Sequence, residues 1–168
     1  MKHFSNLSGI LCAALLVILA GSFNNAMAAT TSANLEVKAT STSSCSFKTL
    51  AAVDFGTYNP LDASDDIDGQ GSVVFNCAKG TEYKFYIEGT RTMTATNPSG
   101  TEEELPFTLY TDSNRSILFP IDNTSTLTGT SESSLTDIQY PVYGKIKAAE
   151  NVTKGLNFTA ILQATLEY

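Results

Sequence analysis

Three groups of residues in this chain have the types and spacing to do chemistry: a cysteine pair, an aspartate-rich turn and a glutamate triplet. Asp62, Asp65, Asp66 and Asp68 stand beside Gly69 and could offer oxygens to Ca²⁺. The 12-residue spacing of an EF-hand is absent, however, and no glutamate closes the run, so a solvated loop is the expected state. Glu102, Glu103 and Glu104 are like charges in a polar stretch and read as solvated surface rather than a catalytic carboxylate pair. Arg91 and Arg115 are isolated and read as surface or turn partners. The only histidine is His3, in a segment expected to be removed. Without it, Ser–His and Cys–His nucleophile pairs and histidine-based metal sites have no material. The chain is expected not to be an enzyme, and no cofactor or metal is assigned to it.

What the cysteine pair can do depends on where the chain goes. Lys2 and His3 make a short cationic start, residues 10–20 are apolar and uncharged, and Ala26, Met27 and Ala28 place small residues at cleavage positions. This is the pattern of a secretory signal peptide, residues 1–28. The apolar run is shorter than the roughly 20 residues that span a bilayer. Leu11, just before Cys12, is not small, so lipidation of Cys12 is not expected. Export leaves Cys45 and Cys77, and two cysteines in an oxidising compartment read as one disulfide. Closing a loop of about 30 residues would contribute about 3–4 kcal/mol by restricting the unfolded chain. With Lys2 removed, nine basic residues face 17 acidic ones, a net charge of −8. Such a domain has little with which to neutralise phosphates, so nucleic acid is not an expected partner.

The elements that must hold the cysteines are strands. In the last stretch, Phe158, Ala160, Leu162, Ala164, Leu166 and Tyr168 fall on every second position, with polar residues and Ile161 between them. A period of two is the signature of a half-buried strand. The chain stops on this strand, so the groove beside it is expected to need cover from elsewhere. In residues 30–44, rich in Thr, Ser and Ala, Leu35, Val37 and Ala39 alternate with Glu36, Lys38 and Thr40, giving a short amphipathic strand on a mobile leader. After a Ser/Thr break Cys45 and Phe47, extended to Leu50, continue the alternation, residues 53–58 form another short strand, and residues 72–77 form a central-strand type of run. After a turn at residues 78–81, Tyr83, Phe85 and Ile87 alternate as the hairpin partner of that run. Further strands are expected over 105–111, 116–119 and 138–148, with a short extended piece near Met93. Residues 120–137 give no clear pattern. The strand-spaced aromatics Tyr83, Phe85, Tyr86, Phe107, Tyr110, Tyr140 and Tyr143 read as core, with a sugar-stacking platform as the functional alternative. Asn151 and Asn157 match the glycosylation sequon, a cheap match in so Ser- and Thr-rich a chain. About eight short strands, no helical period and no internal repeat predict one all-β sandwich.

Several stretches also resemble a known family. Residues 44–47 (Ser-Cys-Ser-Phe), 54–58 (Asp-Phe-Gly-Thr-Tyr), 71–81 (Gly-Ser-Val-Val-Phe-Asn-Cys-Ala-Lys-Gly-Thr) and 109–112 (Leu-Tyr-Thr-Asp) with Arg115, then 143–146 (Tyr-Gly-Lys-Ile) and the terminal Tyr168, resemble the spore coat protein U domain over residues 33–168. Phe119 departs from that pattern, in which tryptophan is frequent. The resemblance implies a structural subunit of an archaic, Csu-type chaperone–usher pilus serving adhesion and biofilm, or a related coat protein. It implies an immunoglobulin-like β-sandwich lacking its final strand, preceded by a donor extension at residues 29–40, with the domain proper at 41–168. The implied partners are a periplasmic chaperone, an outer-membrane usher and neighbouring pilin subunits, in a fimbrium reached through the periplasm. Leu35, Val37 and Ala39 would then be donor residues entering a neighbour's groove, or else the domain's own first strand. Phe158, Ala160, Leu162, Ala164, Leu166 and Tyr168 would flank that groove, with Tyr168 and its carboxylate as a chaperone anchor. The rival reading is a monomeric secreted or coat protein, or a carbohydrate-binding β-sandwich module.

Overall fold

The computed structural model describes residues 30–61 and 67–168. The expected signal peptide, with His3 and Cys12, lies outside the described residues, as do Asp62, Asp65 and Asp66. Residues 30–39 belong to a leader unit and residues from Thr40 onward form one compact domain. The described leader residues carry no strand, and Leu35 and Val37 are 88 % and 85 % exposed.

Among the described residues the domain has eight strands: β1 (Cys45–Asp54), β2 (Ile67–Cys77), β3 (Glu82–Glu88), β4 (Thr92–Thr96), β5 (Glu102–Tyr110), β6 (Leu127–Thr130), β7 (Ile138–Ile146) and β8 (Gln163–Glu167). They form two antiparallel sheets, ordered β1-β2-β7-β5-β4 and β6-β3-β8, in an all-β, immunoglobulin-like sandwich. No helix occurs among the described residues. Alternation explains which faces meet. Tyr83, Phe85 and Ile87 of β3 point inward, as do Leu105, Phe107 and Leu109 of β5 and Val142 and Ile146 of β7. At the centre, Phe75 stacks on Tyr140 and Phe85 is tilted against both, with ring centroids 5.3–6.0 Å apart. Tyr83, Phe85 and Phe107 are therefore core residues with Tyr140 packed against them, whereas Tyr86, Tyr110 and Tyr143 lie outside that cluster.

Three expectations need correction. The run at residues 72–77 and Tyr83–Ile87 do not form a hairpin: β2 and β3 lie in different sheets. The turn between them carries the chain across the sandwich. Gly80 adopts a left-handed φ of 83°, and the amides of Gly80 and Ser131 are satisfied by the carbonyls of Ser131 and Thr81. The expected strand at residues 53–58 is instead the end of β1, and its continuation leaves the ladder after Asp54. The last strand is shorter than its period suggested. Only Gln163–Glu167 is strand, while Thr159 makes an isolated bridge to Thr94 of β4. Residues 158–162 cross from one sheet to the other, so alternation there reflects an edge crossing rather than a continuous ladder.

Candidate functional site

One flank of the sandwich is closed by chain. The amide of Phe119 donates to the carbonyl of Leu109 at 2.9 Å, and the amide of Ile87 donates to the carbonyl of Pro120 at 3.1 Å. Residues 117–120 thus step from one sheet to the other, and Phe119 is driven edge-on against Phe85, centroids 5.8 Å apart. Phenylalanine fills the position where the family resemblance anticipated tryptophan.

The opposite flank is open. β1 is the last strand of one sheet and β8 of the other, and among the described residues each is paired on one side only. Between them lies a groove of about 400 Å³. One rim is Leu50, Ala51, Ala52 and Val53; the other is Phe158, Ala160, Leu162 and Ala164; the floor is core, including Val73, Phe107 and Val142. β1 shows the consequence: although rich in apolar residues, it is exposed along nearly its whole length, and Leu50 is 57 % exposed. Apolar surface left in water costs about 25 cal/mol per Å² relative to burial. An unpaired edge beside such a groove is also a template for another strand.

Glycines shape the rim. Ladder register breaks within β1 between Phe47 and Thr49 and again between Ala51 and Asp54. At the second break the carbonyl oxygens of Ala51 and Ala52 fold over Gly71, where a β-carbon would stand 2.6 Å from the first. Val53 and Phe55 then turn inward over Gly69 and Gly144.

The predicted site residues divide accordingly. Cys45 and Cys77 are bonded to each other across the first rung of the β1–β2 ladder. Phe158, Leu162, Ala164 and Leu166 pack against the core. Ala160 is exposed but lies on the groove rim, and Tyr168 is 61 % exposed, away from it. Leu35, Val37 and Ala39 are exposed. Asp68 pairs with Arg115 Nε at 3.0 Å, and that nitrogen also donates to the carbonyl of Gly144. Among the described residues no group of three or more His, Cys, Asp or Glu could hold a metal. The exposed rim of β1 is the feature sequence reasoning missed. Its signal was available: Leu50, Ala51, Ala52 and Val53 are a continuous apolar run, which a one-sided strand does not need.

An all-β sandwich with an apolar groove between two edge strands defines the class of fold. Comparison places it more closely. The profile of the Spore Coat Protein U domain matches residues 31–165, and the chain belongs to that family. No curated protein matches it significantly. One similar solved structure is the crystal structure of the CsuC–CsuE chaperone–tip adhesion subunit pre-assembly complex from archaic chaperone–usher Csu pili of Acinetobacter baumannii, at 14% identity and a TM-score of 0.47. The match covers 76% of this chain and 40% of that one.

Proposed function

We propose that this chain is a structural subunit of a chaperone–usher surface pilus and polymerises by donor-strand complementation. The observation that carries the reading is the apolar groove between the free edges of β1 and β8. In β-strand addition, main-chain hydrogen bonds supply affinity and pockets for alternate side chains supply selectivity. Leu35, Val37 and Ala39 have the matching period: three apolar side chains on one face, with Glu36 and Lys38 on the other. Each buried side chain contributes roughly 1–3 kcal/mol, so a continuous ladder to β8 must add the rest. Because donor and acceptor are different surfaces, the contact is head-to-tail and propagates into a filament.

Before a neighbour arrives, the groove needs a temporary occupant, the role of a periplasmic chaperone; an outer-membrane usher would then pass subunits to the surface. Tyr168, exposed at the end of β8, is the proposed chaperone anchor. A fibre component of this kind needs no catalytic centre.

The test is assembly. The exported chain should form filaments visible by electron microscopy, and a Leu35→Asp, Val37→Asp double variant should not. A synthetic peptide of residues 30–42 should bind the double variant and raise its melting temperature. A chain that stays monomeric with its own leader filling its own groove would overturn the reading and favour a self-contained surface module.

A further inference from the structure

Glu103 stands apart from the glutamates beside it. It shares the inward phase of Leu105, Phe107 and Leu109 on β5, so its carboxylate turns toward the end of the sandwich while Glu102 and Glu104 remain exposed. There it accepts a hydrogen bond from the Thr153 amide at 2.6 Å, one from the Thr153 hydroxyl, and one from Asn97 Nδ2 at 2.9 Å. These donors, Thr153 foremost, hold its carboxyl below the usual carboxylate range.

The same loop has a second anchor. The Tyr58 hydroxyl accepts from the Glu150 amide at 2.7 Å and donates to the Lys147 carbonyl at 3.1 Å. Between the anchors the chain turns sharply: Ala149 has a left-handed φ of 58°, rare for a residue with a side chain. Val152 packs against the core. Held this way, residues 152–157 wall a second cavity of about 520 Å³. It shares Val53, Phe55, Met93, Phe158 and Thr159 with the apolar groove, so the two are one trough with the loop at its end.

We infer that Glu103 is a positioning residue of the strand-accepting groove: by holding Thr153 it makes residues 152–157 an end wall and sets how far an incoming strand can run. This rests on the strand-accepting reading above. The incoming strand is the leader of a second copy, whose apolar alternation at Leu35, Val37 and Ala39 is flanked on both sides by Ser and Thr. Its polar ends can only extend until they meet the wall.

The experiment is a peptide length series. The full chain carries Leu35→Asp and Val37→Asp so that its own leader does not compete. It is refolded with a peptide of residues 33–41, and with versions lengthened one residue at a time toward residue 30 or toward residue 44. Affinity is measured by calorimetry. With Glu103 intact, lengthening at one end should stop improving Kd within a few residues. In Glu103→Ala the same extension should keep tightening binding, about tenfold over three further residues, the equivalent of one or two added net hydrogen bonds. Glu103→Gln, which still accepts from the Thr153 amide, should fall between, and carries the comparison alone should the alanine variant fail to refold. Asp112→Ala removes a similar set of turn hydrogen bonds from residues that line neither cavity. It should lower the melting temperature and leave the length cut-off in place. An unchanged cut-off in the Glu103 variants would overturn this inference while leaving strand capture standing. Failure of every peptide to bind would instead overturn strand capture itself.

Discussion

The ring of Phe55 rests on the backbone of Gly144: a β-carbon built on Gly144 would lie 2.5 Å from the Phe55 Cζ. Gly69, its neighbour across the β2–β7 ladder, meets the same ring at 2.8 Å. Neither distance leaves room for a methyl group. Gly144→Ala should therefore displace Phe55 and destabilise the domain by about 1–3 kcal/mol, read as a lower urea midpoint. In a Phe55→Ala background the same substitution should cost markedly less, a coupling a double-mutant cycle would detect. Equal costs in both backgrounds would mean that the contact is not what the glycine serves.

The disulfide joins the start of β1 to the end of β2, 32 residues apart. A Cys45→Ser, Cys77→Ser double variant should lose about 2–4 kcal/mol of stability. Because β1 forms one rim of the groove, it should also bind the donor peptide less tightly. Guanidinium unfolding and calorimetry on the same preparation would separate the two losses.

Asp112 organises the turn after β5. Its carboxylate accepts from the amides of Ile117 and Ser116 and from the Ser116 hydroxyl, at 2.7–3.2 Å. The Ile117 amide is the main cause of a carboxyl pKa lowered from its ordinary 3.8. A depressed folded-state pKa gives stability that is present above the unfolded value and lost as pH falls through the folded one. Asp112→Asn should therefore flatten the acid side of the stability profile below about pH 4, where the parent chain loses stability. Superimposable acid limbs would refute this.

Tyr86 sits on the outward phase of β3 and donates to Glu167 of β8 at 3.0 Å. Desolvation, followed by the Glu167 contact, pushes its phenol from 10.0 up to about 12. The raised folded pKa means this contribution is intact below about pH 10 and disappears as pH climbs toward 12. Tyr86→Phe should remove that alkaline component. Ultraviolet titration should show one tyrosine fewer ionising late.

Much of the sandwich was legible in the chain because alternation is a local signal. Tyr83, Phe85 and Ile87, or Val142 and Ile146, need no partner to declare which face is buried. What alternation does not encode is which strands neighbour one another. The turn at residues 78–81 looks like a hairpin because its length and glycine permit one; it crosses between sheets because Ser131, 50 residues later, supplies its hydrogen bonds. The groove follows the same logic. Leu162 and Ala164 announce an apolar face, but the gap beside them exists only because β1 and β8 end their respective sheets. Glu103 was hidden for another reason. A carboxylate inside a charged triplet looks solvated until its phase with Leu105 and Phe107 is weighed against its composition.

The placement of the Cys45–Cys77 bond would matter if the proposed filament were pulled. Tension carried by an engaged leader would enter each domain at residue 44, one peptide bond before the crosslink. From Cys45 the load can pass through sulfur directly into β2, a strand held on both sides by β1 and β7. β1 cannot then be unzipped from its leading end, and the domain must be sheared as a block. A shaft of such domains would resist drag through a covalent shortcut at every joint, and its rupture force should drop when that shortcut is reduced.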